Sequence, residues 1–284
     1  MINLYDITGF GARHVDVCIK NFPDNTAHID VSRNLGDKMY IDWRYENEEE
    51  LAYLIYLTKH IRAVDPQCSL SLRMHYIPNA RMDRVEKVEN VFTLKYFCDV
   101  INWLEFERVF VFDPHSNVSL ALLDRVYVVD KIEEYVGRVK FEIGKTLEVD
   151  FDDIVLYYPD EGAAKKYSKI LKNERYCYGR KNRDWDTGAI VGLEIVNPYN
   201  IDLTGKYIII VDDIISYGGT MYFGAEKLKQ CGVSNIFAYA SHVENSVLDR
   251  NKSKMLKAFE KDYIKMVYTT NSIYTGRHEK IEVI

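Results

Sequence analysis

The chain has 284 residues, 47% apolar and 28% charged, with Lys+Arg 37 against Asp+Glu 43 and a net charge of -6. That is globular composition at a length of one large domain or two smaller ones, with enough chain to bury a core without staples. It excludes a disordered or collagenous chain, and the acidic balance argues against a broad nucleic-acid surface, which needs a basic face to displace counterions.

The five cysteines are widely spaced and form no CxxC pair, so neither a zinc site nor a disulfide framework is expected, and free thiols of a cytoplasmic protein are. No apolar run approaches the roughly 18 residues of a membrane span, and the first residues lack the pattern of a signal peptide.

Taken in chain order, residues 13–19 and 27–31 alternate as strands. Residues 47–63 bring Leu51, Leu54, Ile55 and Thr58 to one helical face, after acids that favour a helix start. A strand is expected over 70–75 and a helix over 91–103. The run 108–112 (RVFVF) reads as a strand buried on both faces, ended by Asp113-Pro114-His115. A strand over 153–158, a loop 159–162 and a helix over 163–171 follow. Residues 207–211 (YIIIV) form the strongest buried strand, leading through a glycine-bearing loop into a helix over 221–230, which Cys231-Gly232 closes; 235–240 is the next strand. This alternation implies parallel sheets with right-handed crossovers, in two halves divided near residue 140.

The sharpest chemistry lies in IVDDIISYGGT, residues 210–220. Ligands of open α/β sheets bind beyond the carboxyl ends of strands, and amides of a glycine-bearing loop before a helix hold phosphate. Asp212 and Asp213 suit the two neighbouring hydroxyls of a ribose. No GxxxxGK[ST] occurs, so this is not a Walker loop. Arg81 and Arg84 lie three apart after a strand, where guanidinium forks suit phosphates.

VDDIISYGGT resembles the ribose-phosphate loop of type I phosphoribosyltransferases and of ribose-phosphate diphosphokinases. YIPNARMDR (76–84), FDPHS (112–116), FPD (22–24), YPDEG (158–162) and RKNR (180–183) resemble the diphosphokinase family specifically, so that the likeness spans about residues 20 to 275. The resemblance implies an α/β protein of two tandem type I phosphoribosyltransferase-like domains, each a mainly parallel sheet flanked by helices. Residues 1–140 would carry the ATP-binding segments, and 141–284 the ribose-phosphate and catalytic loops. It implies a homo-oligomer, dimer or larger, using ATP, Mg2+ and a ribose 5-phosphate-type substrate, without nucleic acid or membrane. By resemblance Phe22, Asp24, Arg81, Arg84 and His115 bind ATP, with Phe22 and Asp24 reaching adenine across a subunit interface. Asp212, Asp213, Ser216, Tyr217, Gly218, Gly219 and Thr220 bind the ribose phosphate. Asp113, His115 and Asp160 lie nearest magnesium. Lys181 and Arg183, in a mobile catalytic loop, stabilise the transition state.

The chain also departs from the family pattern. Asn25-Thr26 replaces Gly-Glu, Met82 replaces glutamine, Ala163 replaces a glycine, and Ser216-Tyr217 replaces Asp-Thr in DDxxDTxGT. The family's first strand is not evident before Arg13, and its last helix is missing or minimal. Losing the Thr hydroxyl and gaining an aromatic face at the 5'-phosphate position points to a larger 5'-substituent, as in ADP-ribose. The resemblance suggests this substrate, since some phage-type relatives of the family act on ADP-ribose in a route that restores NAD. The same residues are also compatible with a phosphoribosyltransferase that consumes phosphoribosyl diphosphate and with a non-catalytic regulatory relative.

Overall fold

The computed structural model describes residues 1–9, 11–32, 35–183 and 190–284; of residues 182, 183, 190 and 191 it describes the backbone alone. The chain forms two compact units, Met1–Val129 and Asp130–Ile284.

In the first unit, β1 (Ile2–Thr8) and β2 (Gly11–Val15) form an antiparallel hairpin, and β3 (Val17–Asn21) and β4 (Ala27–Val31) form a separate one. Then come β5 (Lys38–Trp43), α1 (Glu49–Val64), β6 (Ser69–Met74), α2 (Thr93–Trp103), β7 (Val109–Phe112), α3 (Asn117–Leu122) and β8 (Val126–Val129). The main sheet has the order β2-β1-β5-β6-β7-β8, with β5 to β8 parallel and β1 antiparallel to β5. Met39, Ile41 and Trp43 of β5 and Leu70, Leu72 and Met74 of β6 point to one face. They pack there with Leu54, Leu57 and Ile61 of α1 and with Leu94, Phe97, Cys98 and Ile101 of α2.

Two expectations near the N-terminus are corrected. A first strand does exist, at Ile2–Thr8. The single strand expected over 13–19 is two strands broken at Asp16, because Val15 pairs with Leu4 of β1 whereas Val17 pairs with Val31 of β4. The chain changes sheets at that residue, which alternation alone does not reveal.

The second unit opens with α4 (Ile132–Leu147), followed by β9 (Ile154–Tyr158), α5 (Glu161–Tyr167), β10 (Tyr176–Arg183), β11 (Ile190–Val196), β12 (Tyr207–Ile215), α6 (Gly219–Gln230), β13 (Asn235–Val243), α7 (Lys254–Glu260), β14 (Val267–Thr269) and β15 (Ile281–Val283). The sheet order is β11-β10-β9-β12-β13-β14-β15, parallel throughout except for the β10–β11 hairpin. All of β9 and nearly all of β13 are buried, as strands covered on both faces are. The division expected after residue 140 would cut α4. That helix belongs to the second unit, where Tyr135 stacks on Tyr239 and the Tyr268 hydroxyl donates to Glu142.

The segment 180–183, expected as a loop, is the end of β10, and Lys181 faces Leu193 across the hairpin. The five cysteines are free, and burial pushes the Cys98 and Cys177 thiols up to about 12. Among the described residues no helix is long and apolar enough to cross a membrane.

Candidate active site

The paired acids stand within β12 rather than beyond it, since the strand continues to Ile215 beside Val243 of β13. Asp213 is 7% exposed, and its backbone N–H donates to Asp212 Oδ1 at 3.0 Å. Burial, then the adjacent Asp213 charge, push the Asp212 carboxyl well above the usual range. Two carboxylates held this way favour a shared proton, a cation or a neutral donor such as a sugar hydroxyl.

The loop that follows is built around Gly218, whose φ of 75° favours glycine and whose absent Cβ would lie 2.7 Å from Met255 Cβ. Beyond it α6 begins at Gly219, where a side chain would meet open space. That leaves room beside the first turn of a helix, whose free amides suit a phosphate. Thr220, in the same turn, is exposed. Ser216 Oγ lies 3.2 Å from Ser246 Oγ, which donates to Glu244 Oε2 at 3.0 Å. Tyr217 keeps 38% of its surface exposed, while its carbonyl accepts from the N–H groups of Lys254 and Met255.

Asp160 has two uses. As the residue before α5 it caps that helix, its Oδ1 accepting from Ala163 N–H at 3.0 Å, which starts the helix at Glu161 rather than 163. Its Oδ2 lies 3.5 Å from Lys181 Nζ. Gly179 brings β10 close enough, because a Cβ there would lie 2.5 Å from the Tyr157 hydroxyl and 2.6 Å from the Pro159 carbonyl. Lys181 follows two residues later on the same strand face. Ala163, in place of a glycine, is accommodated as a buried residue. Arg180 pairs instead with Glu161 at 3.4 Å and Glu194 at 3.9 Å. The Arg183 side chain lies outside the described residues.

In the first unit, 76–84 follows β6 as a series of turns anchored by buried Ile77 and Ala80, with Asn79 at φ 62°. Arg81 and Arg84 are exposed, Arg84 pairing with Glu86 at 3.2 Å. Met82 packs on the core. Asp113 is buried at the end of β7 with φ 40°, and His115, two residues on, is exposed. Phe22 is 51% exposed in the β3–β4 turn, with its ring edge-on to His28 at 5.3 Å. Thr26 donates to Asp24 from both its hydroxyl and its N–H, which lowers the Asp24 carboxyl below its usual range. The Asn25-Thr26 departure thus ties Asp24 into its own turn.

A cluster that sequence reasoning missed lies at the carboxyl ends of β5 and β6. Asp42, 5% exposed, accepts from His75 Nε2 at 2.8 Å, with Arg73 at 3.6 Å and Arg44 at 3.9 Å. Burial raises the Asp42 carboxyl, but the His75 hydrogen bond and the nearby Arg73 and Arg44 charges outweigh it and hold it below the usual range. The signal available was positional: His75 immediately precedes the 76–84 segment at a strand end. Among the described residues no three His, Cys, Asp or Glu side chains gather to hold a metal ion.

Two α/β units, each a mainly parallel sheet flanked by helices, with paired acids and a glycine-bearing helix start at the carboxyl end of a strand in the second, make this a fold of the two-domain phosphoribosyltransferase-like kind. The structure superposes on phosphoribosylpyrophosphate synthetase from Mycobacterium smegmatis with a TM-score of 0.71 at 17% identity, covering 95% of this chain and 86% of that one. In sequence the chain is similar to the ribose-phosphate pyrophosphokinase of Thermococcus kodakarensis, 29% identical over 242 residues (84% of this chain, 81% of the relative). It is similar also to that of Sulfurisphaera tokodaii, 26% identical over 258 residues (89% and 83%). No protein-family model matches the chain.

Proposed function

We propose that the protein transfers the β,γ-diphosphate of ATP to the anomeric C1 hydroxyl of a 5'-phosphorylated ribose and releases AMP. The observation that carries this reading is the Asp212–Asp213 pair, with Asp213 buried and Asp212 half-buried, beside the open space at Gly219. The similarity to ribose-phosphate pyrophosphokinases over most of the chain supports it. In the reaction the C1 oxygen attacks the β-phosphorus, the bond from that phosphorus to the α,β-bridging oxygen breaks, and AMP leaves with the bridging oxygen. The proton of the C1 hydroxyl is lost to solvent or phosphate.

Asp212 and Asp213 accept from the 2'- and 3'-hydroxyls, and orienting the sugar raises its effective concentration. The amides at Gly218, Gly219 and Thr220, with Ser216 and Tyr217 beside them, hold the 5'-phosphate. Arg81, Arg84 and His115 bind the triphosphate, with Phe22 and Asp24 offered to adenine from a neighbouring copy in a homo-oligomer. Lys181, with Arg183, stabilises charge on the transferring group. Magnesium supplies charge neutralisation of the phosphates when bound. The hard carboxylate oxygen of Asp160 in the second unit would suit such an ion, and so, in the first unit, would that of Asp113, His115 less well. A cytoplasmic setting, rich in ATP, belongs to the same reading.

The 5'-substituent we favour is the one in ADP-ribose, because Tyr217 turns an exposed aromatic face where the family pattern has Thr. The test is AMP release from ATP and Mg2+ with ribose 5-phosphate or ADP-ribose offered separately. The expected result is release with both and faster release with ADP-ribose. Release with ribose 5-phosphate alone would remove the larger substrate, and release with neither would overturn the reaction.

A further inference from the structure

The ribose-phosphate loop has a second wall, contributed by residues 249–255. Asp249 folds this segment tightly: its Oδ1 accepts from the N–H groups of Asn251 at 2.9 Å and Lys252 at 3.2 Å, and its carbonyl accepts from Ser253 at 2.8 Å. Ser253 is buried and caps α7 through Leu256 N–H at 3.0 Å. The next two amides, of Lys254 and Met255, donate to the Tyr217 carbonyl at 2.7 and 3.1 Å, and Met255 fills the space that a side chain at Gly218 would need. The wall and the loop are therefore one hydrogen-bonded assembly.

This assembly presents Lys252 to Tyr217, with the ammonium 5.8 Å from the ring centre. Lys252 is exposed and makes no ion pair among the described residues. The neighbouring lysines are committed elsewhere, Lys254 over the Tyr222 and Phe223 rings and Lys261 donating to the Tyr222 hydroxyl at 2.6 Å. An ammonium is a compact point charge suited to phosphate, and a ring face suits a base or other flat apolar body. A phosphate monoester ends where the helix amides hold it. A diphosphate ester extends past them, carrying a second anionic centre that needs its own cation.

Resting on the diphosphotransferase reading, we infer that Lys252, on its Tyr217 platform, is a specificity-determining residue that binds the outer phosphate of a ribose 5'-diphosphate ester. The favoured substrate class is thus a ribose joined through a diphosphate to a second group, ahead of a ribose monophosphate.

The test uses the full chain with Lys252→Ala and Lys252→Arg, with thermal melts to verify folding, and ADP-ribose and ribose 5-phosphate as the probes. At saturating ATP, Lys252→Ala should raise KM for ADP-ribose about tenfold more than KM for ribose 5-phosphate, and Lys252→Arg should recover most of the difference. Equal changes for the two substrates, or none, would overturn the inference while leaving the diphosphotransferase reading intact. If the native protein releases no AMP with either substrate, that reading fails. Calorimetric titration of ADP-ribose then decides the inference: weaker binding by Lys252→Ala keeps it, and equal binding, or no binding to either form, removes it.

Discussion

Lys181 Nζ stands 3.5 Å from one oxygen of the Asp160 carboxylate while the other oxygen caps α5 through Ala163 N–H at 3.0 Å. A single side chain thus fixes a helix start and orients the cation proposed to act on the transferring diphosphate. The two duties are separable, because asparagine caps helices nearly as well as aspartate but carries no charge.

Asp160→Asn is therefore expected to leave stability within about 0.5 kcal/mol, whereas Asp160→Ala should cost about 1 kcal/mol through the lost cap. Urea unfolding distinguishes them. Lys181→Ala should hardly move the melting temperature, since both partners are substantially exposed and such pairs contribute little. Its effect should fall on turnover, by about 100- to 1,000-fold, with KM for ATP changed little. Retained turnover at saturation with weakened ATP binding would show that Lys181 serves binding instead.

Asp212 makes the free protein sensitive to pH. Its carboxyl titrates well above the ordinary value of 3.8, so the folded state binds a proton more tightly than the unfolded state. The corresponding stability is present at low pH and is lost as pH rises from about 4 through the folded pKa. Asp212→Asn should consequently raise the melting temperature at pH 7.5 by more than at pH 4, while lowering affinity for the ribose substrate. Equal shifts at the two pH values would show that the pair is not strained by its charge.

Gly218→Ala meets two penalties, a φ of 75° and Met255 Cβ at 2.7 Å. A loss of about 2–3 kcal/mol is expected from strain and overpacking together. Gly219→Ala, with open space around the new methyl, should cost much less in the free protein but should obstruct phosphate binding. Chemical denaturation and substrate titration of the two variants supply the comparison; similar unfolding midpoints would contradict it.

Restoring the family pattern with Ser216→Asp and Tyr217→Thr should shift preference toward ribose 5-phosphate, and an unchanged substrate ratio would remove the loop's specificity role. The new carboxylate would compete with Glu244 for the Ser246 hydroxyl, now donated to Glu244 at 3.0 Å. The double variant should accordingly lose about 1 kcal/mol at pH 7 and regain it when Glu244→Gln is added, as unfolding of the triple variant would reveal.

Local pattern made much of the scaffold legible. The continuous apolar runs of β7, β9 and β12 and the helical spacing of α1, α2 and α6 depend on neighbours a few residues away, and those elements lie close to where periodicity puts them. The break at Asp16 was not legible, because it reflects which of two sheets Val15 and Val17 join. The β10–β11 hairpin was masked by its own chemistry: Arg180-Lys181-Asn182-Arg183 is too polar to resemble a strand, yet register with residues 190–194 makes it one.

The chemical inventory is written in the order of residues: paired acids before a glycine-bearing helix start, arginines three apart after a strand, and a lysine–arginine segment. These are contiguous, and backbone preferences suffice to string them in order. Tertiary structure decided the pairings, bringing Lys181 to Asp160, Lys252 to Tyr217 and His75 to Asp42. Each joins segments distant in the chain through strand register, a close glycine approach or a capped turn. Such contacts exist only after the apolar faces have packed and the buried backbone groups have found partners, so no local pattern carries them.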